Sequence, residues 1–288
     1  MNREKILKGL LPLLGTSIFW GSSFPAIKIA VGYVGGELYT GMRSLLTILL
    51  LAPYVWYKRH LLTRDVVKGG LLVGLAYTLG IWLQGWGTGL TTASKRAFIT
   101  GMNVPFVHAY LALVLRKYDR YLALSLGMSL LGLYLLTRPD VALNIGDFLV
   151  LLGAIFWAAQ IIMVSHVSRA DPLLIVFLEM IPGLVFLPVG LARTGIEPLI
   201  DVRAFLVLLY LALVCTIGAF GLQVYGQRHI SAGVAAIVYL LEPVFAGIFS
   251  YIALRETMDH YQLVGAGLIV LAIALSSLME DQEIESEK

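Results

Sequence analysis

Thr78-Leu79-Gly80, inside an apolar segment spanning residues 67–89, is matched 138 residues later by Thr216-Ile217-Gly218 inside a second such segment, 203–225. Pro105 falls on Pro243 and Gly127 on Gly265 at the same 138-residue offset, and Ile18-Phe19-Trp20 returns as Ile155-Phe156-Trp157 at an offset of 137. Self-similarity at a fixed offset marks two copies of one structural unit. The matches lie in stretches that approach the roughly 20 apolar residues a helix needs to cross a hydrocarbon layer about 30 Å thick. Breaking the chain at charges and Gly/Pro clusters gives ten spans, near 9–31, 36–57, 67–89, 94–115, 120–137, 146–168, 172–193, 203–225, 232–254 and 259–279. The expected fold is all-α and membrane-integral, ten helices in two five-helix repeats around a central cavity. The repeats would occupy residues 1–139 and 140–279, with an acidic tail at 280–288.

Composition excludes the main alternatives. The 288 residues are 59% hydrophobic and only 14% charged, against about 25% charged in ordinary soluble proteins, so a water-soluble fold has no means of hiding this much apolar surface. Cys215 is the single cysteine, which excludes a disulfide framework and a thiolate metal site. The start resembles a signal peptide, with Arg3, Lys5 and Lys8 before an apolar run. That run continues to Val31, however, and Trp20 has a repeat mate, so the segment reads as a retained first helix. Net charge is +3 and no basic run is interleaved with aromatics, so nucleic acid is not an expected partner. The five histidines are scattered singly, and the chain has no H-E-x-x-H pair, P-loop or nucleophile elbow. No enzyme activity, metal or cofactor is expected. The tail from Glu280 is short, acidic and without aromatics, and reads as solvated and disordered.

Lysine and arginine placement sets the orientation. With the amino terminus cytoplasmic, thirteen basic residues fall on that side and six on the other, while Lys28 and Arg43 stay inside spans. Both termini are then cytoplasmic in a cell (plasma) membrane. Five spans per repeat would leave the second copy upside down relative to the first, the arrangement of carriers whose halves rock about a shared site.

An ionisable group at bilayer mid-depth costs about 2.5–3.5 kcal/mol on insertion scales and is a functional candidate for that reason. Glu242 is the foremost: it lies mid-span in Tyr239-Leu240-Leu241-Glu242-Pro243, where Pro243 deprives the Tyr239 carbonyl of its helical partner. It and Glu179, just before Pro182, are the proton-coupling candidates, and Arg43 at comparable depth is an ion-pair candidate for Glu179. Lys28 reads as snorkelling outward. Lys95, beside Arg96, shares a helical face with Ile99, Met102 and Phe106, next to Asn103, and would meet an anionic group if that face looks inward. Tyr77, Gly80, Gln84 and Gly87 form one stripe, and Thr216, Phe220, Gln223 and Gln227 another, with Gln160 adding a further amide. Lipid cannot satisfy amides, so these stripes must face protein or a wet cavity. Trp20, Trp82, Trp157 and Tyr239 lie deep enough in their spans to wall such a cavity.

These residues carry a resemblance. Phe19-Trp20-Gly21-Ser22-Ser23-Phe24, Arg43-Ser44-Leu45-Leu46, Ala93-Ser94-Lys95-Arg96-Ala97-Phe98-Ile99-Thr100-Gly101 with Pro105, and Ala232-Gly233-Val234-Ala235-Ala236 through Glu242-Pro243 with Arg255-Glu256 resemble the EamA-type members of the drug/metabolite transporter superfamily over residues 9 to 279. The resemblance implies a secondary transporter, an exporter or facilitator of small metabolites such as amino acids, working by alternating access around a mid-membrane cavity lined by helices one, three, four, six, eight and nine. Relatives of this kind also carry sugar phosphates and nucleotide sugars. A passive channel for small solutes, and more remotely a membrane enzyme, are the competing classes. The expected partners are a small-molecule substrate and the lipid bilayer, the chain itself being a monomer or weak dimer. Val104 stands where the second half has Glu242, so the halves differ in charge.

Overall fold

The structure is a computed structural model that describes residues 2–88, 90–91, 93–116, 120–139, 142–254 and 259–286. The described chain is helical: α1 Asn2–Lys58, α2 Arg64–Thr88, α3 Ala93–Gly101, α4 Asn103–Leu113, α5 Arg120–Thr137, α6 Ile145–Val167, α7 Pro172–Met180, α8 Phe186–Thr194, α9 Val202–Ala212, α10 Ala219–Gly226, α11 Ala232–Tyr239, α12 Leu241–Leu254 and α13 His260–Ser286. Seven described stretches are long and apolar enough to cross a membrane: Ile29–Leu61, Arg64–Gly87, Arg120–Thr137, Ile145–Val167, Pro172–Thr194, Val202–Gly226 and Ala232–Phe249. Large apolar side chains face outward while some polar ones are sealed within the apolar core: Leu11, Trp56, Leu113, Leu206 and Leu271 are all more than half exposed, whereas Arg43, Gln160, Glu179 and Gln223 are buried. So apolar an exterior is stable only where the surroundings are lipid.

Local signals place the helix ends. Asn144 and Asp147 cap α6 reciprocally, each side chain taking the other's backbone N–H, and Asp259 with Gln262 does the same for α13. Inside α1 the backbone leaves helical values only at Gly35, at φ 71°. That left-handed conformation is open to glycine without steric cost, and it turns the chain between the first two expected spans. Residue 25 therefore does not interrupt the helix. At the other end α13 continues to Ser286, so the expected disordered tail is helical over most of its length. A helix already nucleated by an apolar segment propagates readily through Glu, Asp and Gln when no glycine or proline stops it.

Two helix breaks sit at matched places. Between α3 and α4, Met102 adopts φ −65°, ψ −7°, and between α11 and α12 Leu240 adopts φ −66°, ψ −6°. Each lies three residues before a proline, Pro105 and Pro243, which has no N–H to give and crowds the carbonyl four residues back. The amides respond alike: Met102 N donates to the Ile99 carbonyl and Leu240 N to the Ile237 carbonyl, each at 3.1 Å. A tight turn at Ile181–Val185 around Pro182 and a wide π turn at Leu213–Gly218 interrupt two further spans.

Helices from the two halves of the chain pack in antiparallel pairs. Leu13 of α1 meets Gly226 of α10 and Phe19 meets Gly218, while further along α1 Leu38 meets Gly190 and Gly41 meets Leu187 of α8. Gly80 of α2 backs Trp157 of α6 and Gly87 backs Gly146; Gly132 of α5 meets Ile269 of α13 and Leu136 meets Gly265. Glycine at these points removes the side chain that would hold the backbones apart.

Candidate functional site

The breaks at Met102 and Leu240 look onto one cavity of about 90 Å³. At roughly 15 Å³ per water-sized probe this holds several waters or a small polar group. Trp20, Ser23, Ile27 and Arg43 of α1 line it with Ile81 and Gln84 of α2, Arg96, Thr100 and Asn103 around the first break, Trp157 of α6, Phe220 of α10, and Tyr239, Glu242 and Pro243 around the second. Aromatic rings make its walls. Trp20 packs against Phe220 and Tyr239 with ring centres 5.1 Å apart in both cases, and Tyr77 meets Trp157 at 5.7 Å and Phe220 at 5.2 Å, edge to face.

Gln160, which also lines the cavity, belongs to a buried polar network that extends behind the aromatic walls. Gln160 Nε2 donates to Glu179 Oε1 at 2.8 Å and to Gln223 Oε1 at 3.2 Å, and Gln223 Nε2 donates back to Gln160 Oε1 at 3.0 Å. None of the three side chains is exposed. The Tyr239 hydroxyl donates to Gln227 Oε1 at 3.2 Å, and Gln227 Nε2 donates to the Ile161 carbonyl and to Ser165 Oγ, each at 2.8 Å. Every bond here joins different helical segments, so the amides tie α6, α7, α10 and α11 together. The side-chain atoms Glu179 Oε2, Asn103 Oδ1 and Trp157 Nε1 are buried without a hydrogen-bond partner.

The expected Arg43–Glu179 ion pair does not form. Arg43 Nε donates to Thr216 Oγ1 at 2.6 Å, Nη1 to the Tyr39 hydroxyl at 2.7 Å and Nη2 to the Cys215 carbonyl at 2.9 Å. The π turn accounts for this, because its widened backbone shifts the hydrogen-bond ladder and turns a carbonyl toward an outside donor. Gln160 meanwhile occupies the carboxyl of Glu179.

Of the residues singled out in the sequence, Trp20, Gln84, Asn103, Trp157, Gln160, Tyr239 and Glu242 line the cavity. Gln84 Nε2 bonds Thr100 Oγ1 at 2.7 Å, joining α2 to α3. Tyr77 and Gln223 form the layer outside it. Trp82 does not reach it: it stacks on Trp86 at 5.8 Å and Phe186 at 5.5 Å, because it is turned about 160° around α2 from Gln84 at 100° per residue. Phe106 packs into the apolar cluster that includes Val104 and Val107 rather than into the cavity. The side chains of Lys95 and Lys28, and residues Arg255 and Glu256, lie outside what the structure describes.

Arg96, passed over in the sequence in favour of Lys95, lines the cavity with Glu242, and the two are near enough for their charges to interact. A signal for it was present. Arg96, Thr100 and Asn103 follow the four-and-three spacing of one helical face and are all polar, whereas the Lys95 face continues through Ile99, Met102 and Phe106.

A polytopic helical protein with broken helices turned toward an internal cavity that sets a few charged and amide side chains among aromatic walls belongs to the class of membrane transporters. The EamA-like transporter family matches residues 7–138 and again residues 144–278, and the chain belongs to that family. It is 30% identical over 272 residues to an uncharacterized transporter of Archaeoglobus fulgidus, covering 93% of this chain and 85% of that one. It is 25% identical to the uncharacterized inner membrane transporter YedA of Escherichia coli, covering 93% and 92%. A probable amino-acid metabolite efflux pump of Salmonella typhimurium is 26% identical over 295 residues, covering 93% and 94%. A solved crystal structure superposes with a TM-score of 0.77 at 13% identity, covering 94% of this chain and 96% of the other, which speaks to the fold alone.

Proposed function

We propose that the protein is a secondary carrier that exports or facilitates small metabolites such as amino acids by alternating access, using ten spanning helices in two inverted five-helix repeats. The matched breaks at Met102 and Leu240, both facing one cavity, carry this reading. Discontinuous helices at a shared site between two halves are where carriers bind substrate. The antiparallel cross-pairing of α1, α2 and α5 with α10, α6 and α13 supports inversion, since two copies of five alternating spans meet in opposite directions. The Tyr239–Gln227–Ser165 hydrogen bonds behind the cavity wall support a carrier over an open channel. The Salmonella relative's description favours an amino-acid-like cargo.

Glu242 is the amine or proton site in this reading. It lies on the cavity wall beside the Leu240 break, with Arg96 on the same cavity. In proteoliposomes loaded with a mixture of labelled amino acids, the wild type should move at least one of them at a rate that depends on pH. Glu242→Gln should lower that rate by about tenfold or more and flatten its pH dependence. Full rate and an unchanged pH response in the variant would remove Glu242 from the mechanism.

A further inference from the structure

Arg43 is 4% exposed and borders the cavity. A guanidinium carries five N–H groups, and three of them are taken, by Thr216, Tyr39 and the Cys215 carbonyl. All three acceptors are neutral. No acidic side chain among the described residues forms an ion pair with Arg43, although Glu179 lies within range of its charge. Two N–H groups, one on each Nη, remain unused among the described contacts. A buried cation held in position by neutral acceptors, with no ion pair closed on it among the described residues, is a pre-oriented anion receptor, and the fork of a guanidinium suits the two oxygens of a carboxylate.

We propose that Arg43 seats a carboxylate of the transported molecule, with the aromatic walls of Trp20, Phe220 and Tyr239 enclosing a compact apolar body. The inference rests on the carrier reading of this cavity. Its ligands are small carboxylic acids, and the π turn at Leu213–Gly218 serves the site by aiming the Cys215 carbonyl and Thr216 hydroxyl at the guanidinium.

A matched set of probes on the purified full chain tests this by calorimetric titration: valine, 3-methylbutanoate, valine methyl ester and 2-methylpropylamine. The two acids should bind at least about tenfold more tightly than the ester and the amine, since these lack the group Arg43 would hold. Arg43→Lys should weaken the acids by about tenfold, because a point charge replaces the fork, and Arg43→Gln should abolish the preference. Should Arg43→Gln not fold, Arg43→Lys carries the test, and an acid preference as strong in it as in the wild type overturns the proposal. Equal binding of acid and ester by the wild type, no binding of either acid, or an acid preference surviving Arg43→Gln overturns the proposal. The carrier reading fails separately, through absent transport in proteoliposomes, whichever way the titration falls.

Discussion

Gln160 shows how much can depend on one amide in a low-dielectric interior. Its side chain serves Glu179 and Gln223 at once, so replacing it by leucine leaves a buried carboxyl oxygen and a buried amide without partners. A stranded buried polar group costs about 1–3 kcal/mol. Gln160→Leu should therefore lower the thermal unfolding midpoint clearly. Glu179→Gln should lower it less, because the new amide oxygen still accepts from Gln160. Equal midpoints for Gln160→Leu and the wild type would show that water or a rearranged neighbour meets the need.

Among the elements, the packing of α5 on α13 depends on Gly132 and Gly265. A Cβ at Gly265 would stand 2.5 Å from the Gly132 carbonyl oxygen and 2.7 Å from the Leu136 amide nitrogen. Both are backbone atoms that cannot swing aside, so the helices must separate. Gly265→Val should destabilise the fold by about 2 kcal/mol, within the range for overpacking a tight core, whereas Gly267→Val, where a Cβ meets nothing within 4 Å, should be close to neutral. Chemical or thermal unfolding in detergent distinguishes the two. The proline-directed breaks were legible at the same scale. Pro105 and Pro243 stand 138 residues apart in the sequence, and their backbone consequences at Met102 and Leu240 match within a degree. The π turn was not legible, because Leu213 to Gly218 is uniformly apolar apart from Thr216 and carries no proline or charge to announce a change of period.

For the whole molecule, the expected orientation places both termini on the cytoplasmic side. Cys215 is the single cysteine and is buried, which leaves a nearly silent background for labelling. A cysteine at His60 should react with an impermeant maleimide only from the cytoplasmic side, and one at Arg193 only from the opposite side; the reverse pattern would invert the assignment. The two ends of the molecule are tied by different contacts. Toward one end Tyr54 bonds Asp171 at 2.7 Å and Arg228 bonds the Ser168 and Ala170 carbonyls at 2.8 Å. Toward the other, Glu37 pairs with Arg193, and Arg138 with Asp259 at 2.7 Å.

The sequence alone determined the membrane class, the internal doubling and the breaks before Pro105 and Pro243, and it pointed to some of the polar and aromatic residues that line the cavity, because these follow from composition, spacing and the intolerance of lipid for unsatisfied polar groups. Which partner each buried charge takes was decided only by the tertiary structure. Arg43 turned to the π turn rather than to Glu179, Trp82 turned to its aromatic neighbours, and Arg96 rather than Phe106 came to the cavity. Helical periodicity tells which residues share a face. Where that face points depends on how thirteen helical segments cross one another, and that geometry is set by contacts between residues far apart in the chain, such as Gly80 with Trp157 and Leu13 with Gly226.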